Sequence, residues 1–337
     1  MSHEKILFFT SIICLIGLSN HSDGQVWKRY ADSAKTYSDQ KNTNKAIEFY
    51  SKAREELKKD SMGTSSYAKI CDTLGFSFYR KGQYNDAGKY YLEAKQTQER
   101  VLGKEHIDYT YSCNGLANVY HVMGQYNKAE PLYLEAMEIR EKVLGKENLL
   151  YIKTCLNLAN NYIYKGQYAK AEPLCLEVKQ IREKMLGKEN PDYAVSCYSL
   201  AVLYMEQGKY AKAEPLYLEA MQIQEKVLGK NSPDYAGPCM NLANLYSDMG
   251  QYNKAEPLLV EAMQIREKMA GKENSDYVVP CYNLALLYMN RGEYTKALPL
   301  FLEAKQIQEK VSGKNSPGYA IYCNGLVSCQ INFVCIE

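Results

Sequence analysis

The sequence predicts an all-α protein in which pairs of antiparallel helices stack one on another. Three observations support this prediction. The chain of 337 residues repeats itself every 42 residues, apolar residues recur at helical spacing within each repeat, and a glycine lies near the middle of each repeat. Because one helix pair cannot bury both of its faces, the pairs must stack into a solenoid.

The overall composition excludes several classes of protein. Apolar residues make up 46% of the chain and charged residues 24%, which is ordinary for a soluble protein and fits neither a polytopic membrane protein nor a disordered chain. There are 41 Lys and Arg residues against 39 Asp and Glu, a net charge of +2. This balance gives no reason to expect nucleic acid or an anionic membrane surface as a partner.

Residues 1–24 predict an export signal peptide. Lys5 gives a weakly positive start, residues 6–18 form an apolar run, and residues 22–24 precede a cleavage site before Gln25. The apolar run is too short to span a bilayer comfortably. We therefore expect an exported protein, periplasmic or secreted, with no integral membrane segment after cleavage. If the segment is not a signal, the protein would instead be cytoplasmic.

The period is clearest at a cysteine, and glycine, tyrosine and alanine keep the same step. Segments 127–146 and 211–230 agree at 17 of 20 positions. The periodic cysteines are Cys71, Cys113, Cys155, Cys197, Cys239, Cys281 and Cys323. The repeat divides residues 25–327 into about seven and a half units, at 27–67, 68–109, 110–151, 152–193, 194–235, 236–277, 278–319 and, in part, 320–327. Residues 328–337 form a divergent apolar tail.

The unit at 108–147 shows why each repeat predicts two helices. Asp108 is expected to cap the first helix, and Gly124 is expected to end it, because that position needs left-handed backbone angles. The apolar face of this helix has spacings i, i+3, i+4 and i+7. It consists of Cys113, Leu116, Ala117 and Tyr120.

The second helix of the unit follows the glycine directly. Asn127 and Glu130 predict a capping box, and Pro131 is expected in the first turn, where a missing N–H is harmless. Alanines on this helix would let the pair approach closely, and tyrosines would fill the space between units. The predicted buried face consists of Ala129, Leu132, Tyr133, Ala136 and Ile139.

These motifs resemble a known repeat family. The motifs are Leu116-Ala117-x-x-Tyr120, Gly124-x-Tyr126-x-x-Ala129 and Tyr133-x-x-Ala136. They resemble the tetratricopeptide repeat, although the periodic cysteine replaces the aromatic residue that usually starts the first helix. The 42-residue step and the sequence segments 129–132 and 139–146 resemble those of the kinesin-light-chain-like subclass, as found in bacterial multi-repeat proteins. The resemblance covers residues 27–327. It implies a right-handed superhelical solenoid that acts as a scaffold for a protein or peptide partner.

The periodic cysteines are predicted to be buried free thiols rather than disulfides. Equivalent residues on neighbouring helices lie about 8–10 Å apart, whereas a disulfide needs Cα atoms within about 7 Å. No Cys-x-x-Cys motif occurs in the chain. An oxidising export compartment normally disfavours free thiols, and burial of the cysteines would resolve that conflict.

The sequence predicts no catalytic site, metal site or cofactor. From Gln25 onward the histidines are His106 and His121. Cys113 and His121 would lie about 12 Å apart along one helix, too far for a catalytic dyad. The chain has no phosphate-binding loop, nucleophile elbow or zinc-binding His-Glu-x-x-His motif. We therefore expect a non-enzymatic protein without a small-molecule substrate.

A candidate binding surface follows from the family resemblance. In kinesin-light-chain-like repeats the first helices line a concave groove, and asparagines there are thought to hold the backbone of an extended peptide. Positions two and five residues after each cysteine share one helical face, and an asparagine amide both donates and accepts hydrogen bonds. The predicted row comprises Asn118, Asn157, Asn160, Asn241, Asn244 and Asn283, and the neighbours expected to set specificity are His121, Tyr164, Met205, Glu206 and Met289. The row is interrupted at Gly115, Ser199, Val202, Leu286 and Gly325.

The sequence is also compatible with two alternative functions. Bacterial relatives often resemble a fusion of such repeats with a caspase-like protease, and the final unit, with Gln330 in place of a tyrosine, suggests a truncated regulatory arm of that kind. An intracellular motor-adaptor-like light chain would require a retained amino terminus. A groove of about seven units at about 10 Å each accommodates some 20 extended residues, which favours a peptide over a small molecule.

Overall fold

A computed structural model describes residues 25–60, 64–314 and 317–334, and the secondary structure within them is α-helical throughout. The predicted export signal at residues 1–24 and the end of the tail at residues 335–337 lie outside the described residues. The chain divides into two compact units, one up to Gly145 and one from Lys146 onward. We refer to them as the amino-terminal and carboxyl-terminal units.

The described part of the amino-terminal unit contains six helices, and that of the carboxyl-terminal unit contains nine. The first six are α1 Gln25–Asp39, α2 Thr43–Asp60, α3 Ser65–Arg80, α4 Tyr84–Leu102, α5 Ile107–Val122 and α6 Tyr126–Leu144. The other nine are α7 Leu149–Tyr164, α8 Tyr168–Leu186, α9 Pro191–Glu206, α10 Tyr210–Leu228, α11 Pro233–Asp248, α12 Tyr252–Ala270, α13 Ser275–Asn290, α14 Tyr294–Ser312 and α15 Pro317–Val334.

Odd-numbered helices are the first helices of the repeats, and even-numbered helices are the second helices. Within each unit, consecutive helices pack against each other. First helices of successive repeats also contact one another. In the amino-terminal unit α3 contacts α5, and in the carboxyl-terminal unit each of α7, α9, α11 and α13 contacts the next first helix. Second helices of successive repeats make no comparable contact among the described residues. The first helices therefore lie on the inner side of each stack, and the prediction of an all-α stack of helix pairs is confirmed.

The glycine between the two helices of a repeat adopts the predicted left-handed conformation. Gly124 has φ 71°, and its N–H donates to the carbonyl of His121 at 2.9 Å. The N–H of Gln125 donates to the carbonyl of Tyr120 at 2.8 Å. These bonds satisfy carbonyls at the end of α5 and turn the chain directly into α6. The prediction that Gly124 ends the first helix is confirmed.

The predicted cap of the first helix was wrong. Helix α5 begins at Ile107, and the imidazole Nδ1 of His106 accepts the N–H of Asp108 at 3.1 Å. Asp108 therefore lies in the first turn rather than before it. The same geometry recurs at α9, where Asn190 accepts the N–H of Asp192 at 2.8 Å. A cap must precede the first helical residue, and the capping side chain lies two residues before the aspartate in both repeats. The helix pairs accordingly begin a few residues before the predicted unit boundaries.

The predicted capping box of the second helix was also wrong. Helix α6 begins at Tyr126, and its preceding residue, Gln125, makes no side-chain capping bond. Pro131 lies inside the helix, beyond the first turn where it was expected. The turn at Gly124 starts the helix earlier than the polar residues Asn127 and Glu130 suggest. Position 131 therefore contributes no N–H to the helical ladder.

The predicted core faces are mostly confirmed. Cys113 and Ala117 are fully buried, and Tyr120 is half-buried. Tyr109 and Cys113 of α5 pack on Ala136 and Ile139 of α6. The equivalent clusters in the carboxyl-terminal unit join Tyr193, Ala194 and Cys197 to Ala220 and Ile223, and Tyr277, Val278 and Cys281 to Ala304 and Ile307.

The residues assigned to the divergent tail begin inside a helix. Helix α15 runs on to Val334, so residues 328–334 continue the helix that contains 320–327. Within the described part of the chain, no helix has both the length and the apolar character that a membrane span requires.

Candidate functional site

Each periodic cysteine belongs to a cluster that links the two helices of its repeat. The hydroxyl of Tyr109 donates to Oε1 of Glu135 at 2.9 Å, and the Cys113 thiol donates to Oε2 of the same carboxylate at 3.9 Å. A tyrosine four residues before the cysteine and a glutamate 22 residues after it recur with the period. Neither residue was among the predicted site residues, although both keep the 42-residue step in the sequence. The contacts recur at 2.9 and 3.5 Å among Tyr193, Cys197 and Glu219.

The burial of these thiols makes them hydrogen-bond donors rather than nucleophiles. Burial, reinforced by the neighbouring glutamate, raises the pKa of Cys113 to about 12, and burial does the same for Cys197. A thiol with such a pKa stays protonated at neutral pH and reacts slowly. All of the cysteines in the described residues are free. The prediction that the periodic cysteines are packed thiols is confirmed for the six from Cys71 to Cys281, which are buried.

We expect iodoacetamide to modify Cys323 faster than the six buried periodic cysteines. Cys323 lies in the last helix and is half-buried, so the reagent can reach its sulfur. Peptide mapping by mass spectrometry of the folded protein, sampled over time, would measure the rates. The same reaction in guanidinium chloride should make all rates similar. Modification of Cys113 or Cys197 in the folded protein at the rate of Cys323 would contradict the expectation.

The structure places part of the predicted asparagine row in contacts within the fold. The hydroxyl of Tyr133 donates to Oδ1 of Asn118 at 2.6 Å, across the α5–α6 pair. Nδ2 of Asn241 donates to the hydroxyl of Tyr198 at 2.5 Å, from α11 to α9. These two asparagines therefore hold helices together. Asn157, Asn244 and Asn283 are half-buried, and Asn160 is exposed.

The predicted neighbours fall into several different environments. The structure brings Met205 into the same cluster as Asn241, since the hydroxyl of Tyr217 donates to the Met205 sulfur at 3.6 Å. Tyr217 also packs edge-to-face on Tyr198, with ring centroids 5.8 Å apart. Tyr164 is 62% exposed. Glu206 is exposed, and Met289 is half-buried. In the amino-terminal unit, half-buried His121 packs against Tyr126, with ring centroids 5.3 Å apart.

Two first helices of the carboxyl-terminal unit carry net negative charge. Helices α9 and α11 each contain two acidic residues and no basic one. Glu206 and Asp248 are the last residues of these helices, and both are exposed. Partial removal from water raises the pKa of Asp248. The fold and this surface define a helical repeat protein whose first helices present aromatic, amide and acidic side chains along the inner side of a stack.

Comparison with known proteins identifies the repeat. The family model described as tetratricopeptide repeat matches residues 68–142, 108–184 and 194–268, and related models of the same description match 281–318 and 28–55. The chain belongs to the tetratricopeptide repeat family, and its repeats are of the kinesin-light-chain-like type. Proteins with this fold are typically protein-interaction scaffolds. A search of curated proteins finds no match to this sequence.

Solved structures include several similar chains. A kinesin light chain from Podosopora anserina with nearly identical TPR-like repeats is 28% identical, with a TM-score of 0.51 over 62% of this chain and 99% of that one. A tetratricopeptide repeat protein from Parabacteroides merdae is 15% identical, with a TM-score of 0.64 over 91% and 99%. A Rap protein complexed with Competence and Sporulation Factor is 13% identical, with a TM-score of 0.54 over 93% and 97%.

Proposed function

We propose that this protein is a non-enzymatic scaffold that binds an extended segment of a protein partner along the first helices of its carboxyl-terminal unit. The observation that carries the proposal is the position of these helices on the inner side of the stack, with exposed Asn160, Tyr164 and Glu206 on them. Protein interaction is also the usual role of the family. The Rap protein with its bound factor is a further instance of this fold holding a ligand.

The spacing of the helices favours an extended segment. Four first helices, α7 to α13, at about 10 Å each span roughly 30 Å between the outermost axes, which equals some nine extended residues at about 3.3 Å each. Asparagine amides such as that of Asn160 donate to and accept from a peptide backbone without requiring a particular sequence. Tyr164 would add an aromatic contact, and aromatic residues carry much of the binding energy in protein interfaces.

The charge of the same surface favours a basic segment. Glu206 and Asp248 end neighbouring first helices and would face a lysine or arginine of the partner. Exposed ion pairs add only about 0.2–1 kcal/mol each, but complementary charge increases the association rate and makes binding sensitive to salt. We therefore expect the affinity to fall as the ionic strength rises.

A peptide selected from a displayed random library would test the proposal. Once selected on the full chain, it should bind wild-type protein measurably in fluorescence anisotropy. The double variant Asn160→Ala, Tyr164→Ala should weaken binding at least tenfold. This factor corresponds to a loss of about 1.4 kcal/mol in binding free energy. Glu206→Gln should reduce the salt dependence.

The matched control is Leu176→Ala. Leu176 is 38% exposed and lies on α8, a second helix away from the inner side, so its removal should leave the affinity unchanged. Equal affinity for wild type and the Asn160, Tyr164 double variant, with circular dichroism unchanged, would remove the inner surface as the binding site.

We further propose that residues 1–24 direct export of the protein, as their sequence pattern indicates. Mass spectrometry of the protein recovered from its native compartment should give a mature chain that begins at Gln25. A chain that retains these residues would refute export and favour the intracellular adaptor.

A further inference from the structure

The last described helix, α15, has a composition unlike that of the other helices. It contains no Asp, Glu, Lys or Arg over its 18 residues. Its apolar side chains are unusually exposed, at 54% for Ile321, 51% for Val327 and 57% for Ile331. An uncharged helix with exposed apolar side chains indicates a surface that is covered when the protein acts.

The internal repeat shows which face of α15 is uncovered. Val327 occupies the position of Ala285 in α13, which packs on Ala297 and Phe301 of the following second helix, α14. Alanines fill this position in five preceding first helices and are at most 1% exposed. They are Ala117, Ala159, Ala201, Ala243 and Ala285. No second helix follows α15 among the described residues, and Val327 is left half in water.

The cysteine of the repeat leads to the same conclusion. In α13, Tyr277 and Cys281 pack on Ala304 and Ile307 of α14, and the tyrosine hydroxyl donates to Oε1 of Glu303 at 3.2 Å. Cys281 is fully buried. Cys323, its equivalent in α15, is only half-buried.

The face of α15 that contacts the preceding helix, α14, is packed as in the other first helices. Its Leu326 and Cys329 are buried against Phe301 of α14. The helix is therefore held in the place of a first helix. Its opposite face is equivalent to the face that other first helices pack against their own second helix. This continuity identifies the shape and chemistry of what would cover it.

We propose that the uncovered face of α15, formed by Ala320, Cys323, Val327 and Ile331, binds a helix that carries the pattern of this chain's own second helices. That pattern is Leu-Glu-Ala-x-x-Ile, as at residues 218–223. Its alanine and isoleucine would lie against the small and apolar residues of α15. Its glutamate would approach Tyr319 and Cys323, as Glu303 approaches Tyr277 and Cys281 one repeat earlier. The occupant is thus an amphipathic helix of a different protein that carries this pattern, because a folded copy of this chain buries the pattern in its own core, as at Ala220 and Ile223.

The experiment uses the full chain and a fluorescein-labelled peptide of residues 210–228, the sequence of α10. We expect saturable binding of one peptide per chain, measured by fluorescence anisotropy. The variant Val327→Glu should weaken binding at least tenfold, because it places a charge where the alanine of the incoming helix would lie. Since Val327 is half-exposed, this variant should remain folded, as circular dichroism would verify.

The matched control is Val279→Glu on α13. Val279 is 43% exposed and also lies on a first helix, but it lies outside the proposed face, so peptide binding should be unchanged. A peptide with Ala220→Glu should not bind. The double variant Asn160→Ala, Tyr164→Ala should bind the α10 peptide normally, which separates this proposal from that of the inner surface.

Three outcomes would overturn the proposal. One is an absence of peptide binding, and another is equal binding by Val327→Glu and wild type. The third is self-association of the protein alone in sedimentation velocity that Val327→Glu abolishes, because it would show that a second copy covers the face.

Discussion

Replacing Tyr217 by Ala is expected to lower the free energy of unfolding by about 3–5 kcal/mol, the range for removing a large buried aromatic side chain. Tyr217 lies on α10 and is completely buried. Its ring packs edge-to-face on Tyr198 of α9, 5.8 Å between centroids. The cavity would open between the two helices of a repeat, where neighbouring side chains are held by their own helices and cannot collapse into it. Urea-induced unfolding followed by circular dichroism would measure the loss.

Two control variants separate the ring from the hydroxyl and from the helix. Tyr217→Phe keeps the ring and loses the contacts of the hydroxyl, which include those with the Met205 sulfur at 3.6 Å and with the Asn241 side chain, so its cost should be about 1 kcal/mol or less. Leu218→Ala removes a side chain that is 38% exposed on the same helix and should also cost much less than Tyr217→Ala. A loss equal to that of Leu218→Ala would contradict the packing described for the repeat.

The repeat made the helix pairs predictable, because packing between neighbouring copies imposes the same residue at the same step. Cys113, Ala117 and Ala136 are buried as their period indicated. The helix starts were less predictable. An aspartate is a good cap in isolation, but Asp108 follows His106, whose ring takes the capping position. Only one residue can occupy the capping position of α5, and local sequence alone did not decide between the two candidates.

The binding surface was predictable as a face but not as a set of available groups. The period places Asn118 and Asn241 on the first helices, as expected. Their bonds to Tyr133 and Tyr198 depend on side chains of other helices. Contacts between helices are set by rotamers and crossing angles, which the period of a single helix does not contain. Exposed residues such as Tyr164 and Glu206 are therefore better targets for mutagenesis than the asparagines of the row as a whole.

A polar network in the amino-terminal unit was not predictable from the repeat at all. Asp72 of α3 accepts from Nε2 of Gln98 at 2.8 Å and contacts the hydroxyl of Ser112 at 2.6 Å. Asn114 and Leu156 stand at the position of Asp72 in the next repeats, so the network does not recur. The Ser112 hydroxyl also lies within hydrogen-bond distance of Oε1 of Gln98.

The geometry of this network favours a protonated Asp72. The single hydrogen of the Ser112 hydroxyl cannot serve both the Asp72 oxygen and Oε1 of Gln98. If Asp72 is protonated, it donates to Ser112, Ser112 donates to Gln98, and every contact has one hydrogen. Burial raises the pKa of Asp72 from 3.8 to about 7, and the nearby charge of Asp108 adds to the effect, while the hydrogen bonds and Lys69 oppose it.

The raised pKa fixes the sign of the pH dependence. Well below pH 3.8, Asp72 is protonated in both the folded and the unfolded chain, so it causes no loss of stability. As the pH rises towards 7, the unfolded chain releases the proton and the folded chain retains it, so stability decreases. Above about pH 8 the decrease is complete. At about 1.4 kcal/mol per pKa unit, the total is at most roughly 4 kcal/mol.

Asp72→Asn should remove this pH dependence and stabilise the protein at pH 8 by roughly 2–4 kcal/mol, within the limit set by the pKa. The asparagine amide reproduces the protonated carboxyl, since its oxygen accepts from Gln98 and its NH₂ donates to Ser112. Urea unfolding of both proteins at pH 5, 6, 7 and 8 would measure the difference, which should grow with pH. Asp86→Asn, at a side chain that is 43% exposed, should leave the pH dependence unchanged. If the free energy of unfolding depended on pH in the same way for wild type and Asp72→Asn, Asp72 would be charged in the folded protein. The Ser112 hydroxyl would then donate to the Asp72 carboxylate.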